Sequence, residues 1–517
     1  MTFSKSSLNY RHLGLLTLAA FGLFLLNLGQ VALRDWDEGY YATVSQDMFQ
    51  QGEWLFPLYQ DQPFLLKPPL LFWLIQASYH LGGIHEWTSR FPSAFLSALA
   101  VPLLYLLGRE LFSQSITALF SALVYLTLLP AVRLGRLAMF DGMINTFLVG
   151  ALWCLLKGFQ KPPWLLGVGL GLGLIALSKG VLALVFASLM LLFILWEKQG
   201  HILGRWELWL GLLLGFSPIL LWYGLQIQTY GQEFIQVHFQ AQTIDRLATA
   251  VEGNSGPPWF YLVEIAKYSA PWLFFALPGL YWALQKRRER WAKVVFIFGL
   301  GFGGIISSMS TKLPWYVLPV YPSFALATGY YLTQLWQSPK AYPKFLGALL
   351  SLATALVLVA LVYFTWLDFQ PWLIGLSLTL TLSLALASTL FLRSQRQAIP
   401  VLIGGLYLTL AVLMASPLWN WELNEAFAVK PVAALIAQFT PQKTTIYTSF
   451  AYSRPSLDFY SDRLVLAVSR ERLRELAQSP HYFLLDDAAL EELSLPSAQS
   501  LGRSGNFTLI KSASPPA

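Results

Sequence analysis

The sequence predicts a polytopic α-helical membrane protein carrying a small extracytoplasmic α/β domain at its C-terminal end. Three observations carry that reading. Of 517 residues, 56% are hydrophobic and only 12% charged, whereas soluble domains carry about 25% charged residues. Long apolar runs recur from residue 13 to residue 415, separated by charged or Pro/Gly breaks. After residue 415 the composition changes to alternating, charge-rich segments. The mean hydropathy of +0.54 agrees, and 20 Trp with 23 Tyr suit the two interfaces of a bilayer.

Taken in order, the apolar runs give thirteen candidate spans: 13–33, 91–107, 116–132, 142–156, 164–177, 181–196, 206–226, 270–284, 292–308, 315–336, 345–363, 372–392 and 399–415. The first run is long for a signal peptide and has no small-residue cleavage pattern before Arg34, so it reads as a retained span. "LSKG" at 177–180 splits one long run into two short spans joined by a tight turn. "LLFWLIQASYHLGG" (70–83) is only 14 residues long and reads as a surface-lying or half-embedded helix. With the N-terminus in the cytoplasm, the basic loops "QKRRERWAK", "KGFQKPP", "EKQGHILGRWE", "SPKAYPK" and "RSQR" fall on the cytoplasmic side. The expected location is the plasma membrane, the inner membrane of a bacterium, with the C-terminus outside.

The expected domains are a transmembrane catalytic part, 1–415, with a first outer loop at 34–90, and an extracytoplasmic α/β unit, 416–517. In the latter, "TTIYTSF", "HYFLLDD" and "NFTLIKS" read as strands and "RERLRELAQ" as a helix. One cysteine, Cys154, excludes an intrachain disulfide framework and any cysteine-based metal cluster. The net charge of +7 is accounted for by loop topology, so no nucleic-acid partner is expected and the bilayer is the partner.

The outer loops and turns hold ionisable residues of both signs close to span ends. They are Asp37 and Glu38 within "RDWDEGYYA", then Lys67, Arg133, Arg136, Asp141, Lys179, Arg246 and Lys312. Charges at membrane depth are costly and line cavities. A lipid-phosphate donor requires cations for its phosphate and for the charge that grows as it leaves. An acceptor hydroxyl or amine requires a carboxylate for its proton. Asp37 is the base candidate; Lys67, Lys179, Arg246 and Lys312 are the phosphate candidates; Arg136 and Asp141 would shape the pocket. Plain alternatives stand beside these: Asp35 and Glu38 as solvated loop residues, Lys179 and Lys312 as snorkelling residues, Asp141 as a helix cap. His80, His85, His201 and His238 show no metal spacing and read as interfacial or packing residues.

"RDWDEGYYATVSQDMFQQGEWLFPLYQDQPFLLKPPLLFWL" resembles the first outer loop of the family 39 glycosyltransferases and their relatives, the protein O-mannosyltransferases and the lipid A aminoarabinose transferases. "EWTSRFPSAFLSALAVPLLYLLGRELF", "RLAMFDGMINTF", "LSKG", "FYLVEI" and "STKLPWYVLPVYPSFAL" are similar to later signatures in the same order. The resemblance covers most of 30–330 in patches. It implies a GT-C fold, with a catalytic pocket on the extracytoplasmic face, a polyprenyl-phosphate sugar donor and transfer with inversion. By matching position, Asp37 would be the catalytic carboxylate with Glu38 beside it. Lys67 matches the Lys-Pro-Pro lysine, Asp141 the acidic residue after the third span, and Lys312 with Tyr316 the Lys-Leu-Pro-x-Tyr element. Arg246 matches an arginine of the long outer loop, and Tyr40 and Tyr41 join the expected pocket. Two positions depart. Leu66 stands where relatives often carry Glu, and "EGNSGPPWFYL" lacks a His that they tend to carry. Those residues can support a metal in the family. Their absence speaks against a bound divalent metal, the one cofactor the resemblance suggests, and points away from lipid A modification.

The expected activity is therefore sugar transfer from a polyprenyl phosphate to a lipid, glycan or protein acceptor. The contrasting reading is a transporter or flippase that binds an anionic lipid-linked substrate without chemistry; no two-half repeat supports it. A ligase joining lipid-linked glycans would differ mainly in acceptor size.

Overall fold

The computed structural model describes residues 9–245, 249–250, 253–339, 342–421, 428–493 and 498–512. Arg246 lies outside the described residues. The chain divides into two compact units. The first comprises Met1–Leu28, Leu65–Leu71 and Arg90–Trp419; the second comprises Gly29–Phe64, Phe72–Ser89 and Asn420–Ala517. Most of the first loop thus groups with the C-terminal residues rather than with the helices that flank it in sequence.

Helices α1 (Tyr10–Leu25), α2 (Asp37–Gln51), α3 (Leu70–Gly82) and α4 (Glu86–Leu111) open the chain. α5 (Ser115–Leu126) and α6 (Leu129–Gly135) meet at a 59° bend. Then follow α7 (Phe140–Gly158), α8 (Leu165–Lys179), α9 (Leu182–Trp196) and α10 (Trp206–Phe234). α10 is kinked at Gly231 and runs on as a π-helix over Ile235–Asp245. The later helices are α11 (Leu273–Gln285), α12 (Arg290–Ser308), α13 (Tyr321–Gln337), α14 (Lys344–Trp366), α15 (Pro371–Leu392) and α16 (Ala398–Ala415). Among the described residues, eight helices are long and apolar enough to cross a bilayer, or nine if the bent pair counts as one. The shortfall from thirteen lies partly in short elements. α1 has 16 residues, α9 15 and α11 13, below the roughly 20 that span a hydrocarbon core.

The closest helix packing is between α8 and α10. A Cβ built on Gly169 would lie 1.9 Å from the Gly211 carbonyl carbon, and one on Gly173 would lie 2.0 Å from the Gly215 oxygen. Two Gly-x₃-Gly pairs therefore face each other backbone to backbone, the arrangement that lets membrane helices approach without side chains between them. On another face of α8, Gly171 meets Ala151 and Phe147 of α7. α8 is thus fixed against both neighbours.

In the second unit, a five-stranded sheet has the order β4-β3-β5-β7-β6, where β1 (Leu58–Tyr59) and β2 (Gln62–Pro63) form a separate small hairpin in the first loop. β3 (Thr445–Thr448) pairs in parallel with β4 (Leu464–Ala467) and β5 (Tyr482–Asp486), while β7 (Phe507–Lys511) runs antiparallel between β5 and β6 (Gln499–Ser504). The three strands and the helix expected from sequence are present, together with β4 and β6. α17 (Val429–Phe439) and α18 (Pro455–Ser461) lie on one face with Ile446, Val465, Leu484 and Leu509. α19 (Arg470–Leu476) and α20 (Asp487–Leu493) cover the other with Phe483, Leu485 and Ile510. Successive β5 residues thus serve opposite faces, as a pleated strand requires.

α2 packs on α18 within this unit. A Cβ on Gly39 would sit 2.7 Å from the Ser456 backbone nitrogen. The glycine of "DEGYYA" is the residue that permits this approach.

Candidate functional site

Within the first unit, the ends of α7 and α8 meet beside a cavity of about 220 Å³. Asp141 sits in the first turn of α7 and Lys179 in the last turn of α8, both on the side of the helix dipole that favours their charge. Lys179 Nζ lies 2.6 Å from Asp141 Oδ1 and 5.0 Å from the ring centre of Tyr316. Tyr316 lies on the 3₁₀ turn Pro314–Val320, which α7 holds through Asn145 Nδ2 donating to the Leu318 carbonyl at 3.0 Å. Asp141 is not the cap of α7: Met139 occupies that position, and the carboxylate is turned to Lys179 instead. Gly180, at φ +48° and ψ −109°, ends α8. A Cβ there would approach the Tyr223 hydroxyl to 2.9 Å, so the last residue of "LSKG" provides both the turn and room for the cavity wall.

The opposite wall comes from the Lys-Pro-Pro segment and the π-helix. Lys67 Nζ donates to Gln242 Oε1 at 3.0 Å. His238 Nδ1 donates to the Leu65 carbonyl at 2.9 Å, and its Nε2 lies 3.3 Å from the Tyr223 hydroxyl. His238 and Gln242, four residues apart, therefore hold the backbone and the ammonium of the same short segment. Both line the cavity with Lys67, Asp141, Lys179 and Tyr316. Neither was singled out as functional from the sequence. The readable signal was a polar His-x₃-Gln spacing closing a long apolar helix, and π-helical turns frequently mark functional sites. The remaining wall is apolar, with Val185, Phe302, Ile306 and Pro319, and its rim includes the exposed Val181 and Ile305.

Two expected site residues lie elsewhere in this unit. Lys312 is buried and donates to the carbonyls of Ile306 (3.3 Å), Ser307 (2.7 Å) and Met309 at the C-terminal end of α12, and lines a separate open cleft with Gly256 and Ser310. Arg136 is fully buried and donates to the Leu23 and Leu26 carbonyls at 2.8 and 2.7 Å, closing the end of α1. With Arg90 it covers the Trp419 ring, at 4.5 and 4.9 Å, and Arg133 donates to the Trp419 carbonyl at 2.9 Å.

The opening cluster of the first loop belongs to the second unit, and its members have separate fates. Asp35 is buried and holds Arg454 through Nε at 2.8 Å and Nη2 at 2.6 Å, with Ser456 on its other oxygen. Glu38 is fully buried and accepts from the Arg34 backbone N–H at 2.6 Å. Asp35 and Glu38 are therefore not solvated loop residues. Asp37, half-buried at the first turn of α2, has no hydrogen-bond or ion-pair partner among the described residues. Tyr40 stacks on Tyr59 at 4.5 Å, and the buried Tyr41 meets Phe72 edge-on at 6.0 Å.

Two further carboxyls here are strongly perturbed. Burial pushes Asp47 up to about 7, opposed by the Gln60 N–H and reinforced by Asp61 and Asp462. Burial pushes Asp458 up to about 8, opposed by the Tyr59 hydroxyl and the Val465 N–H and reinforced by Asp47 and Asp35. Among the described residues no group of three or more His, Cys, Asp or Glu side chains is arranged to hold a metal ion.

Residues 66–223 match the family model described as dolichyl-phosphate-mannose-protein mannosyltransferase. The chain is 26% identical over 457 residues to an uncharacterized protein of Aquifex aeolicus, covering 87% of this chain and 86% of that one. It is 31% identical over 360 residues to an undecaprenyl phosphate-α-4-amino-4-deoxy-L-arabinose arabinosyl transferase of Pseudomonas fluorescens, covering 68% of this chain and 65% of that protein. The corresponding transferase of Yersinia pestis is 29% identical over 328 residues, covering 60% of this chain and 57% of that protein. The chain thus spans somewhat less than two thirds of the length of these transferases. Its fold matches the crystal structure of ArnT from Cupriavidus metallidurans bound to undecaprenyl phosphate, with a TM-score of 0.81 at 20% identity, over 98% of this chain and 99% of that one. Family model, relatives and whole-chain fold agree: the chain is a glycosyltransferase with a GT-C fold, similar to the aminoarabinose transferases and the protein O-mannosyltransferases.

Proposed function

We propose that the chain transfers a sugar from a polyprenyl-phosphate donor to an acceptor at the extracytoplasmic face of the bacterial inner membrane, with inversion. The observation that carries the donor class is the two-sided cavity. Its apolar wall reaches exposed Val181 and Ile305, and its polar end carries Lys67 and Lys179. An exposed apolar rim on membrane helices suits entry of an isoprenoid tail from the bilayer, and paired ammonium groups suit its phosphate. The name and bound ligand of the relatives supply the same donor class, undecaprenyl phosphate.

In the proposed reaction the acceptor hydroxyl or amine gives its proton to a carboxylate, assigned to Asp37 on sequence grounds, and attacks the anomeric carbon on the side opposite the phosphate. The new bond to the acceptor forms as the bond from the anomeric carbon to the phosphate oxygen breaks. Polyprenyl phosphate leaves with the electron pair, its growing charge held by Lys67 and Lys179, and by Arg246 on sequence grounds. Asp141 would fix the direction of Lys179. Lys312 would act as the cap of α12 rather than as a phosphate ligand. Leu66 in place of an acidic residue sets the sugar or acceptor apart from that of lipid A modification.

The test compares membranes with and without the chain by mass spectrometry of lipid-linked sugars, alongside Asp37→Asn at equal folded amounts. The expected result is accumulation of one polyprenyl-phosphate sugar when the chain is absent or carries Asp37→Asn. Unchanged lipid-linked sugars would overturn the donor assignment. Movement of intact donor between leaflets without consumption would make the chain a flippase.

A further inference from the structure

We propose that Trp36 and Tyr452 form a subsite for a sugar ring of the acceptor, beside the carboxylate of Asp37. This rests on the reading of the chain as a sugar transferase, and it narrows the acceptor to one that presents a carbohydrate. Trp36 breaks three local rules at once. It occupies the N-cap of α2, where a short polar side chain would accept from the first-turn N–H groups and an indole does not. Its backbone is at φ 65° and ψ −136°, a conformation that non-glycine residues rarely adopt and that gathers at ligand-handling sites. Its side chain is 45% exposed although large and apolar. Local choices that contradict the fold without a structural gain are where function is expected.

The surroundings show what holds Trp36 in this state. Asp35 before it is tied to Arg454, and Glu38 two residues after it is tied to the Arg34 backbone. The two residues between them, Trp36 and Asp37, are the less buried ones. The indole stacks on Tyr452, with ring centres 5.2 Å apart and planes at 22°. Tyr452, itself 36% exposed, comes from the segment joining β3 to α18. The stacked rings carry, on the very next residue of the chain, a carboxylate that has no partner among the described residues. A pyranose offers the matching chemistry: one C–H face to lie on a ring, and a rim of hydroxyls to donate to a carboxylate. Free apolar chains would leave the carboxylate unanswered, and simple ions would leave the rings bare.

The experiment uses the full chain in nanodiscs, with methyl glycosides of common hexoses and hexosamines as probes, read by saturation-transfer NMR. Saturation is expected on ring-face C–H protons of at least one glycoside. Trp36→Ala and Tyr452→Ala should each weaken its affinity about tenfold, the scale of one lost aromatic stack, while Trp36→Phe keeps most of it. Absence of glycoside binding to the native chain, or equal binding by Trp36→Ala, would overturn the proposal. Unchanged glycoside binding by Trp36→Ala, together with lipid quenching of the native indole's fluorescence, would assign the pair to the bilayer interface instead. Because binding does not require proton transfer, retained sugar transfer in Asp37→Asn would remove the base and leave this subsite standing.

Discussion

Lys67 and Lys179 border a cavity, whereas Arg90, Arg133 and Arg136, in the same unit, point into backbone carbonyls and the Trp419 ring. All five are cations near the ends of apolar segments, and by charge and position they look alike. What separates them is what receives their N–H groups. A guanidinium presents five donors in a fixed fork, enough to satisfy several orphan carbonyls at a helix end. An ammonium on a flexible stem can be held by one side chain, as Gln242 holds Lys67, and still face open volume. The contrast teaches that charge at membrane depth marks a site only where space adjoins it.

The largest expected effects would break this contrast most directly. Lys67→Ala or Lys179→Ala should lower transfer by about 100-fold or more per folded molecule, since in the proposed reaction each removes a charge from the leaving phosphate. Arg136→Leu should leave transfer per folded molecule near normal yet destabilise the protein by about 2–4 kcal/mol, because two carbonyls of the α1 end lose their donors. Activity normalised to monodisperse protein, together with thermal melting in detergent, measures both. If Arg136→Leu melted normally but failed to transfer, the division would be wrong.

A smaller effect sharpens the cavity side. Gln242→Leu deletes one neutral acceptor of Lys67, worth about 1 kcal/mol, and should raise the apparent donor KM by roughly fivefold with little change in kcat. An effect confined to kcat would place Gln242 in the chemical step.

The effect that bears least on the cavity concerns the other unit. Asp47 and Asp458 have folded pKa values raised to about 7 and about 8, above the usual unfolded value of about 3.9. The folded state therefore binds the extra protons. The stability they contribute is fully present below pH 4 and is lost as pH rises through 7 and 8. Melting of the full chain should fall by several degrees between pH 5 and pH 8, and Asp47→Asn with Asp458→Asn should flatten that slope. A native melting point that rose over this range would refute the sign.

How much of this was readable from residues alone follows from the same contrast. Asp141, Lys67 and Lys179 could be chosen because a charge abutting an apolar run is expensive and needs a reason. The same logic chose Arg136 and Lys312, whose donors go to helix-end carbonyls, Lys312 bordering a separate cleft as well; a one-dimensional reading cannot tell an orphan carbonyl from a void. His238 and Gln242 escaped because their register depends on a π-helical turn, invisible to a 3.6-residue period. The strands of the C-terminal sheet with strong alternation were legible, whereas β4 and β6 are short or bulged and carry little pattern. The burial of Asp35 was not legible because nothing in the local sequence announces Arg454, more than four hundred positions away.

The touching glycines of α8 and α10 have a consequence for what this scaffold tolerates. There the ruler that sets the distance between two helices bordering the cavity is made of missing atoms, and a missing atom cannot be resized in small steps. A methyl group at Gly169, Gly173, Gly211 or Gly215 would have to push the two helices apart, and with them the walls they carry.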